Sequence, residues 1–416
     1  MSASKLALFL RENPIVITGL GAFSATGDTA DKLWDAAVVG RANARNIFFA
    51  HGETEKFYPA YVGPEIDFSR DELRRLRRLD RCVHMGWLAA DEAMCQARLR
   101  HAYPADRIGV IIGTARGPMG KVLAAADVPR DKTPLPSVVA DNSFTSVSGA
   151  LARSFGFRGV CVTLAATCAS AAVAIAQGAE QILLGQADAV LVGGTEAPLQ
   201  SLALRQYQAA SVLASHENPE QACRPFDADR NGLVLGEGSA VLILESLDSA
   251  KKRGATPLAR LAGWAYSCNV ASRTSTAGEG VVHVVEQALR SAQLKPDAID
   301  YVNLHGTGTR MGDVDEARAM ARVFNEGNAG VPCSSTKPIT GHCLGATPAL
   351  EAVISLQALR QQKIPPNANC PNPDPCCQIN LVRQTAQPAR LQTVMTNSLG
   401  FWGQYASLLF ATIDHA

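Results

Sequence analysis

Three residues in this sequence, one cysteine and two histidines, are placed so that they could carry out acyl chemistry together. In "VCVTLAATCASAAVAI", residues 160–175, a run of β-formers gives way at Thr167 and Cys168 to an alanine-rich helical run opening with Ala169, Ser170, Ala171 and Ala172. A thiol at a helix N-terminus faces unpaired N–H groups and the positive end of the helix dipole, which lower its pKa and favour thiolate. The same N–H groups can hold an oxyanion, and the small neighbours leave room for a substrate at sulfur. The alternative is a structural cysteine in a buried strand-helix junction. A nucleophilic cysteine in acyl chemistry also needs donors to a developing enolate or oxyanion. His305 lies in "YVNLHGTGTRMGD", at the end of an apolar strand and before a Gly/Thr-rich loop, and His342 lies in "SSTKPITGHCLGA", after Lys337. Strand ends opening onto glycine-rich loops are where α/β proteins expose functional groups. The remaining six histidines, at 51, 84, 101, 216, 283 and 415, have no such setting and read as surface or satisfied core. The pair His305 and His342 has no metal-ligand spacing and no carboxylate in register, so no metal is expected.

The elements that must position these groups alternate in type. Short β-branched runs ("PIVITGL", "RIGVIIGT", "DAVLVGG") alternate with alanine-rich helical segments, and the style repeats in the second part through "AVLILES", "IDYVNLHG", "ALEAVISLQALRQQ" and "YASLLFATI". This alternation predicts an α/β protein with largely buried sheets, built from two halves, 1–255 and 256–416. The proline-rich 363–378 can hold no long helix or central strand and reads as a surface excursion. "GLGAFSATG" does not complete a dinucleotide fingerprint and reads as a tight strand-to-loop turn.

With 416 residues, 47% of them hydrophobic, the chain can bury one large core or two moderate ones. Its 39 basic and 38 acidic residues nearly cancel, so a polyanionic partner would need a local patch, and neither nucleic acid nor membrane is expected. Eleven cysteines with no regular spacing suit free thiols in a reducing cytoplasm. The N-terminal apolar stretch is short of a signal peptide, and no later stretch is long enough to span a membrane.

The blocks "GVCVTLAATCASAAVAI", "RPFDADRNGLVLGEGSAVLILE", "HGTGTRMGD", "SSTKPITGHCLGATPALEA" and "NSLGFWG", in this order, closely resemble condensing enzymes of the β-ketoacyl-ACP synthase II type, from about Ile15 to the C-terminus. The resemblance implies the thiolase fold, a five-layered αβαβα core of two similar halves, and usually a homodimer. It implies a catalytic set of Cys168, His305 and His342, supported by Lys337 and Glu351. It further implies an oxyanion hole from the amides of Cys168 and Phe401, a gating loop with Gly400 and Trp402, and pantetheine contacts from Thr307 and Thr309. The implied reaction is decarboxylative Claisen condensation of an acyl group on Cys168 with malonyl-ACP, without a tightly bound cofactor, both substrates riding on the phosphopantetheine of acyl carrier protein. The basic run "LRRLRRLDR" matches the family's docking surface through Arg74, Arg77 and Arg78, with Arg224 nearby, and would otherwise read as a solvated helix face.

Departures from the family pattern bear on the substrate. The gating loop reads "GFWGQY", with Trp402 in place of a glycine, and a tryptophan cannot adopt every backbone state of glycine. Thr167 replaces the usual alanine before the nucleophile. Arg116 falls where the family often has an apolar residue lining the acyl pocket, and is expected either to meet an acid or to point elsewhere. These differences leave room for a specialised pathway, such as type II polyketide or polyene synthesis, beside fatty-acid elongation. Two other readings are a chain-length-factor-like partner subunit and a non-decarboxylating acyltransferase of the thiolase superfamily. The first lacks the nucleophile, and the second histidine speaks against the second.

Overall fold

A computed structural model describes residues 3–51, 54–129, 131–133, 135–269, 278–324 and 330–413. The β-branched runs form the strands β1 Ile15–Phe23, β2 Ile108–Gly113, β3 Cys161–Leu164, β4 Ala189–Glu196 and β5 Gly238–Ser246. The second half supplies β6 Ala259–Cys268, β7 Tyr301–Asn303, β8 Cys333–Ser334, β9 Thr393–Leu399 and β10 Gln404–Ala411. Their order in one ten-stranded sheet is β8-β7-β9-β10-β6-β1-β5-β4-β2-β3. From β1 outward the pairings run antiparallel, antiparallel, parallel, parallel, and from β6 outward they run the same way. The topology is therefore duplicated, although the two sequences show little of it. The halves meet where Ile15–Ile17 of β1 pairs antiparallel with Ala259–Leu261 of β6.

The helices that matter here are α1 Arg70–Leu76, α2 Arg81–Ala97, α3 Ser146–Phe155, α4 Ser170–Leu183, α5 Gly278–Ala292, α6 Arg310–Phe324 and α7 Thr347–Gln361. Helices α4 and α7 occupy the middle of the molecule, where one apolar cluster joins their side chains to strands of both halves. A second cluster packs α2 and α3 on the outer side of the first half, and a third packs α5 and α6 outside the second. The layers are thus helix, sheet, helix, sheet, helix, as in the thiolase fold. Helix α7 is buried from Thr347 to Leu359, which is why its sequence is apolar on nearly every side. A carboxylate within it, Glu351, must therefore find a buried partner.

The small residues around Cys168 are explained by close packing. A Cβ on Gly113, at the end of β2, would lie 2.4 Å from the backbone of Ser170, and one on Gly194 would lie 2.7 Å from the Ala171 side chain. Only glycines on the sheet and small residues on α4 let the helix start this close. The glycines of "GLGAF" serve strand β1 in the same way, since a Cβ on Gly21 would meet the Ala89 carbonyl of α2 at 1.9 Å.

The proline-rich segment departs from expectation. Residues 371–376 are largely exposed, but Ile364 to Ala368 are buried. There the Asn367 side chain accepts from the Ser335 amide at 2.9 Å and donates to the Pro225 carbonyl at 3.0 Å. Prolines exclude ladder pairing, not burial, so the first part of the segment is an inner strap that fixes the loop before Lys337.

Candidate active site

Cys168 is 6% exposed, two residues before α4. Thr167 before it has φ 50, a left-handed conformation unusual for a β-branched residue and a mark of a backbone held by its surroundings. Its hydroxyl donates to the Phe401 carbonyl at 3.3 Å, and the Phe401 amide is directed at the Cys168 sulfur. The sulfur is 3.2 Å from Nε2 of His342. The expectation of a depressed thiol pKa is overturned: burial pushes it up to about 12, and the opposing influences of Lys337, the Phe401 amide and Arg116 do not compensate. The resting sulfur is a neutral thiol, and its activation depends on a neighbour taking the proton.

His342 meets that sulfur, and His305 stands beside His342 on the same cavity. Their rings lie 5.4 Å apart, edge to face. Burial, reinforced by the positive charge of Lys337, holds both well below the usual histidine range, so both are neutral. Lys337 Nζ donates to the His305 carbonyl, donates to Glu351 Oε1 at 2.7 Å and lies 3.5 Å from Nδ1 of His305. An ammonium can only donate, so Nδ1 is the acceptor and the proton of the neutral ring sits on Nε2. His342 differs, since its Nδ1 meets the Thr347 hydroxyl at 3.1 Å. A hydroxyl can donate or accept, so His342 is free to change tautomer.

Several buried carboxylates went unnoticed in the sequence. Glu316 of α6 accepts from the amides of His305 at 2.7 Å and Gly306 at 2.8 Å, and Asp313 accepts from Thr307 and Gly308, each at 3.1 Å. Their signal was present in "HGTGTRMGDVDEAR": two acids one helical turn apart, opening a helix directly after a loop rich in free amides. Glu196, at the end of β4, accepts from the Thr114 hydroxyl, the amides of Ala115 and Arg116, and the Gly345 amide. It thereby ties the loop after β2 to the loop carrying His342. Burial raises Glu196 and Glu316 to about 7.

A cavity of about 450 Å³ opens on the site, lined by Cys168, Tyr207, His305, Thr307, Thr309, His342, Gly400 and Phe401 among others. The hydroxyls of Thr307 and Thr309 are 3.0 Å apart on its wall. Gly400 has no room for a side chain, since a Cβ there would stand 2.1 Å from Thr167 Oγ1 and 3.1 Å from the Cys168 amide nitrogen. Gly400→Ala is therefore expected to displace Cys168 and lower kcat/KM at least about tenfold in a condensation assay, with far-UV circular dichroism unchanged. Wild-type turnover in that variant would show that the loop and Cys168 are not coupled.

Two expectations shift. Trp402 does take up a glycine-like conformation, with φ 61, and the residue is 60% exposed and outside the cavity lining. Arg116 also lies outside that lining. Its guanidinium carbon sits 5.6 Å from the centre of the Tyr207 ring, which in turn stacks against Phe401 at 6.3 Å. The structure thus places an aromatic ring beside Arg116 where an acid had been one of the options.

Arg74, Arg77 and Arg78 are exposed on and after α1. Arg74 and Arg78 line a surface cleft of about 580 Å³ together with Arg75, Arg153 and Asp141. Arg224 donates from Nε to the Gln221 carbonyl at 3.0 Å, and its backbone lies beside Gly308. It is not among the residues that line the cleft.

A duplicated α/β fold whose halves bring a cysteine and two neutral histidines to one cavity defines a thiolase-fold acyltransferase of the ketosynthase kind. Comparison with known proteins gives the family. Residues 12–250 match the family model "Beta-ketoacyl synthase, N-terminal domain" and residues 258–371 match "Beta-ketoacyl synthase, C-terminal domain". A 3-oxoacyl-[acyl-carrier-protein] synthase 2 of Staphylococcus aureus (strain COL) is 34% identical over 413 residues, covering 96% of this chain and 98% of that protein. Among solved structures, a type II polyketide ketosynthase in complex with its acyl-carrier protein superposes with a TM-score of 0.87 at 26% identity, over 96% of this chain and 100% of that one. The ishigamide ketosynthase/chain length factor gives a TM-score of 0.86 at 29% identity, over 96% and 99% of the two chains. The chain belongs to the beta-ketoacyl synthase family.

Proposed function

We propose that the protein is a decarboxylating condensing enzyme that joins an acyl group carried on Cys168 to the malonyl group of malonyl-ACP, giving 3-oxoacyl-ACP. The observation that carries this reading is the convergence of the Cys168 thiol, 3.2 Å from His342, with the His305 ring 5.4 Å from the His342 ring, on a single cavity. In the first step the thiol proton passes to Nε2 of His342 as sulfur attacks the acyl thioester, and the departing pantetheine sulfur takes that proton. The Phe401 and Cys168 amides receive the developing oxyanion. In the second step malonyl-ACP enters along Thr307 and Thr309. Nε2–H of His305 and of His342, now in its other tautomer, donate to the malonyl thioester oxygen as carbon dioxide leaves. The electron pair of the broken C–C bond forms the enolate, whose carbon attacks the acyl thioester and expels the Cys168 sulfur as thiolate, which takes one proton from water by way of His342 to restore the resting thiol. Lys337 and Glu351 fix His305 and its tautomer from behind. Both halves contribute, and we place their division near residue 255.

Substrates reach the site on the phosphopantetheine of acyl carrier protein, in keeping with the family relatives, and we place the enzyme in the cytoplasm; no helix among the described residues is long and apolar enough to cross a membrane. Solved relatives pair a ketosynthase with a chain length factor. An intact Cys-His-His set puts this chain on the catalytic side of any such pair, or in a homodimer. The test is to incubate the purified protein with malonyl-ACP and a panel of acyl-ACPs and to identify products by mass spectrometry. The reading predicts 3-oxoacyl-ACP two carbons longer than the primer with release of carbon dioxide, and absence of both overturns it.

The arginine cleft is assigned to the acidic carrier protein. Among the described residues Arg74 pairs only with Asp71 at 3.6 Å, both side chains 82% exposed, so little holds its charge back from a partner. Changing Arg74, Arg77 and Arg78 together to Glu should raise KM for acyl-ACP by at least about tenfold, an effect that shrinks at high salt. Acylation by a small pantetheine thioester should stay near wild type. Equal losses with both substrates would remove docking as the explanation.

A further inference from the structure

We propose that Arg116 and Tyr207 form a recognition site for a carboxylate at the far end of the acyl chain, so that Cys168 is loaded with acyl groups of dicarboxylic type, one end a thioester and the other a free anion. The inference rests on the reading of Cys168 as the acyl-carrying nucleophile and names the substrate class of that same site.

The argument begins with pairing. Arg81, Arg230, Arg253 and Lys337 each meet a carboxylate: Glu237 at 2.7 Å, Asp374 at 2.7 Å, Glu245 at 2.6 Å and Glu351 at 2.7 Å. Arg116, half-buried, has no such ion pair among the described residues. The carboxylate at its own backbone, Glu196, is already occupied by the Thr114 hydroxyl at 3.1 Å and by the amides of Ala115 at 2.6 Å, Arg116 at 2.9 Å and Gly345 at 3.1 Å. Those four bonds fix the loop that carries Arg116, and the guanidinium is directed over the Tyr207 ring at 5.6 Å. A cation held so firmly beside an aromatic face, with no anion of its own, is arranged to receive one.

The place is also the right one. Tyr207 lines the Cys168 cavity and stacks on Phe401, whose amide is directed at the sulfur. Arg116 lies outside the lining but reaches this wall through the Tyr207 ring, 5.6 Å from its guanidinium carbon. A chain of a few carbons on Cys168 that follows the Phe401 side of the cavity comes to Tyr207, and a polar terminus there is within the field of the guanidinium that the ring carries. A methyl terminus there would strip water from the guanidinium and return no hydrogen bond, whereas a carboxylate accepts from both arms of the fork and from the phenol.

The test uses the full chain and two thioesters of equal length, hexanoyl-pantetheine and adipoyl-pantetheine, and follows acylation of Cys168 by intact-protein mass spectrometry without malonyl donor. Excluding malonyl groups ensures that the carboxylate being read is that of the acyl chain. Wild type should acylate at least about tenfold faster with adipoyl than with hexanoyl, as a charge-assisted hydrogen bond warrants. Arg116→Ile should reverse that order, and Arg116→Lys, which keeps the charge, should retain part of the preference and guard against a folding artefact. A wild-type preference for hexanoyl overturns the inference, as does a uniform loss with both thioesters in Arg116→Ile, which would make Arg116 a source of field at the sulfur only. No acylation of wild type by either thioester overturns the nucleophile assignment beneath it, and condensation assays with acyl-ACP then show the same failure.

Discussion

Cys168→Ala should form no acyl-enzyme and condense nothing above about one ten-thousandth of the wild-type rate, yet continue to decarboxylate malonyl-ACP. The size of the loss follows from removing the only atom that carries the acyl group, and catalytic units of this kind lose most of their rate with a single member. Decarboxylation survives because it needs a thioester oxygen held by Nε2–H donors, and His305 keeps its tautomer through Lys337 at 3.5 Å whether or not sulfur is present. The measurements are intact-protein mass spectrometry after exposure to acyl-ACP and carbon dioxide release from malonyl-ACP. Acylation of the Ala variant would sink the assignment of the nucleophile. The thiol itself offers a companion measurement. With its pKa pushed up to about 12 by burial, the thiolate fraction of the free enzyme rises about tenfold for each pH unit between 7 and 9. Alkylation of Cys168 by iodoacetamide should climb accordingly, whereas a thiol already ionised at neutral pH would give a flat profile.

That thiol marks where sequence reasoning stopped. A strand feeding a helix through Thr167 and Cys168 was legible from residue types, because β-branched and alanine-rich runs have different backbone preferences. The helix dipole was legible with it, but the weight of burial was not: whether desolvation or dipole decides a thiol pKa depends on the Phe401 loop, 233 residues further on, closing over the sulfur. The duplication was half legible. Alternating strands and helices announced two α/β halves, but strand order is set by packing of side chains that differ between them, so only the pairing pattern shows the repeat. Arg116 was legible as an anomaly and not as a contact, since the Tyr207 ring it meets comes from a segment with no functional signature. Glu196 was missed because it binds backbone amides, which every sequence contains and none displays, whereas Asp313 and Glu316 left a signal, two acids one helical turn apart after the Gly/Thr-rich loop, that went unread. Of the site, then, the cysteine and the histidines could be read from the chain, while the carboxylates that hold their loops in place were legible in part.

Lys337→Met is expected to destabilise the protein by about 3–5 kcal/mol, the cost of leaving one member of a buried ion pair without the other. Lys337 and Glu351 are both fully buried, 2.7 Å apart. Among the described residues the second oxygen of Glu351 has no hydrogen-bond partner, so Lys337 is its main compensation. Burial already raises Glu351 to about 7 against the lowering influence of Lys337. Without the ammonium its pKa rises further, and the side chain is protonated at neutral pH. If the pair served stability alone, replacing both members by apolar residues of similar size would recover most of the loss, as buried pairs elsewhere allow. The double variant Lys337→Met, Glu351→Met should indeed recover stability in denaturant unfolding. It should not recover activity. Nδ1 of His305 has then lost the cation that kept it an acceptor, the proton is no longer held on Nε2, and malonyl decarboxylation should remain about tenfold to a hundredfold below wild type, the usual cost of removing the group that orients a functional histidine. A stable double variant with wild-type decarboxylation would show that the pair is structural and that His305 finds its tautomer unaided. A folded but slow one separates the two roles, because the stability of the buried pair can be replaced by hydrocarbon and its direction of the His305 proton cannot.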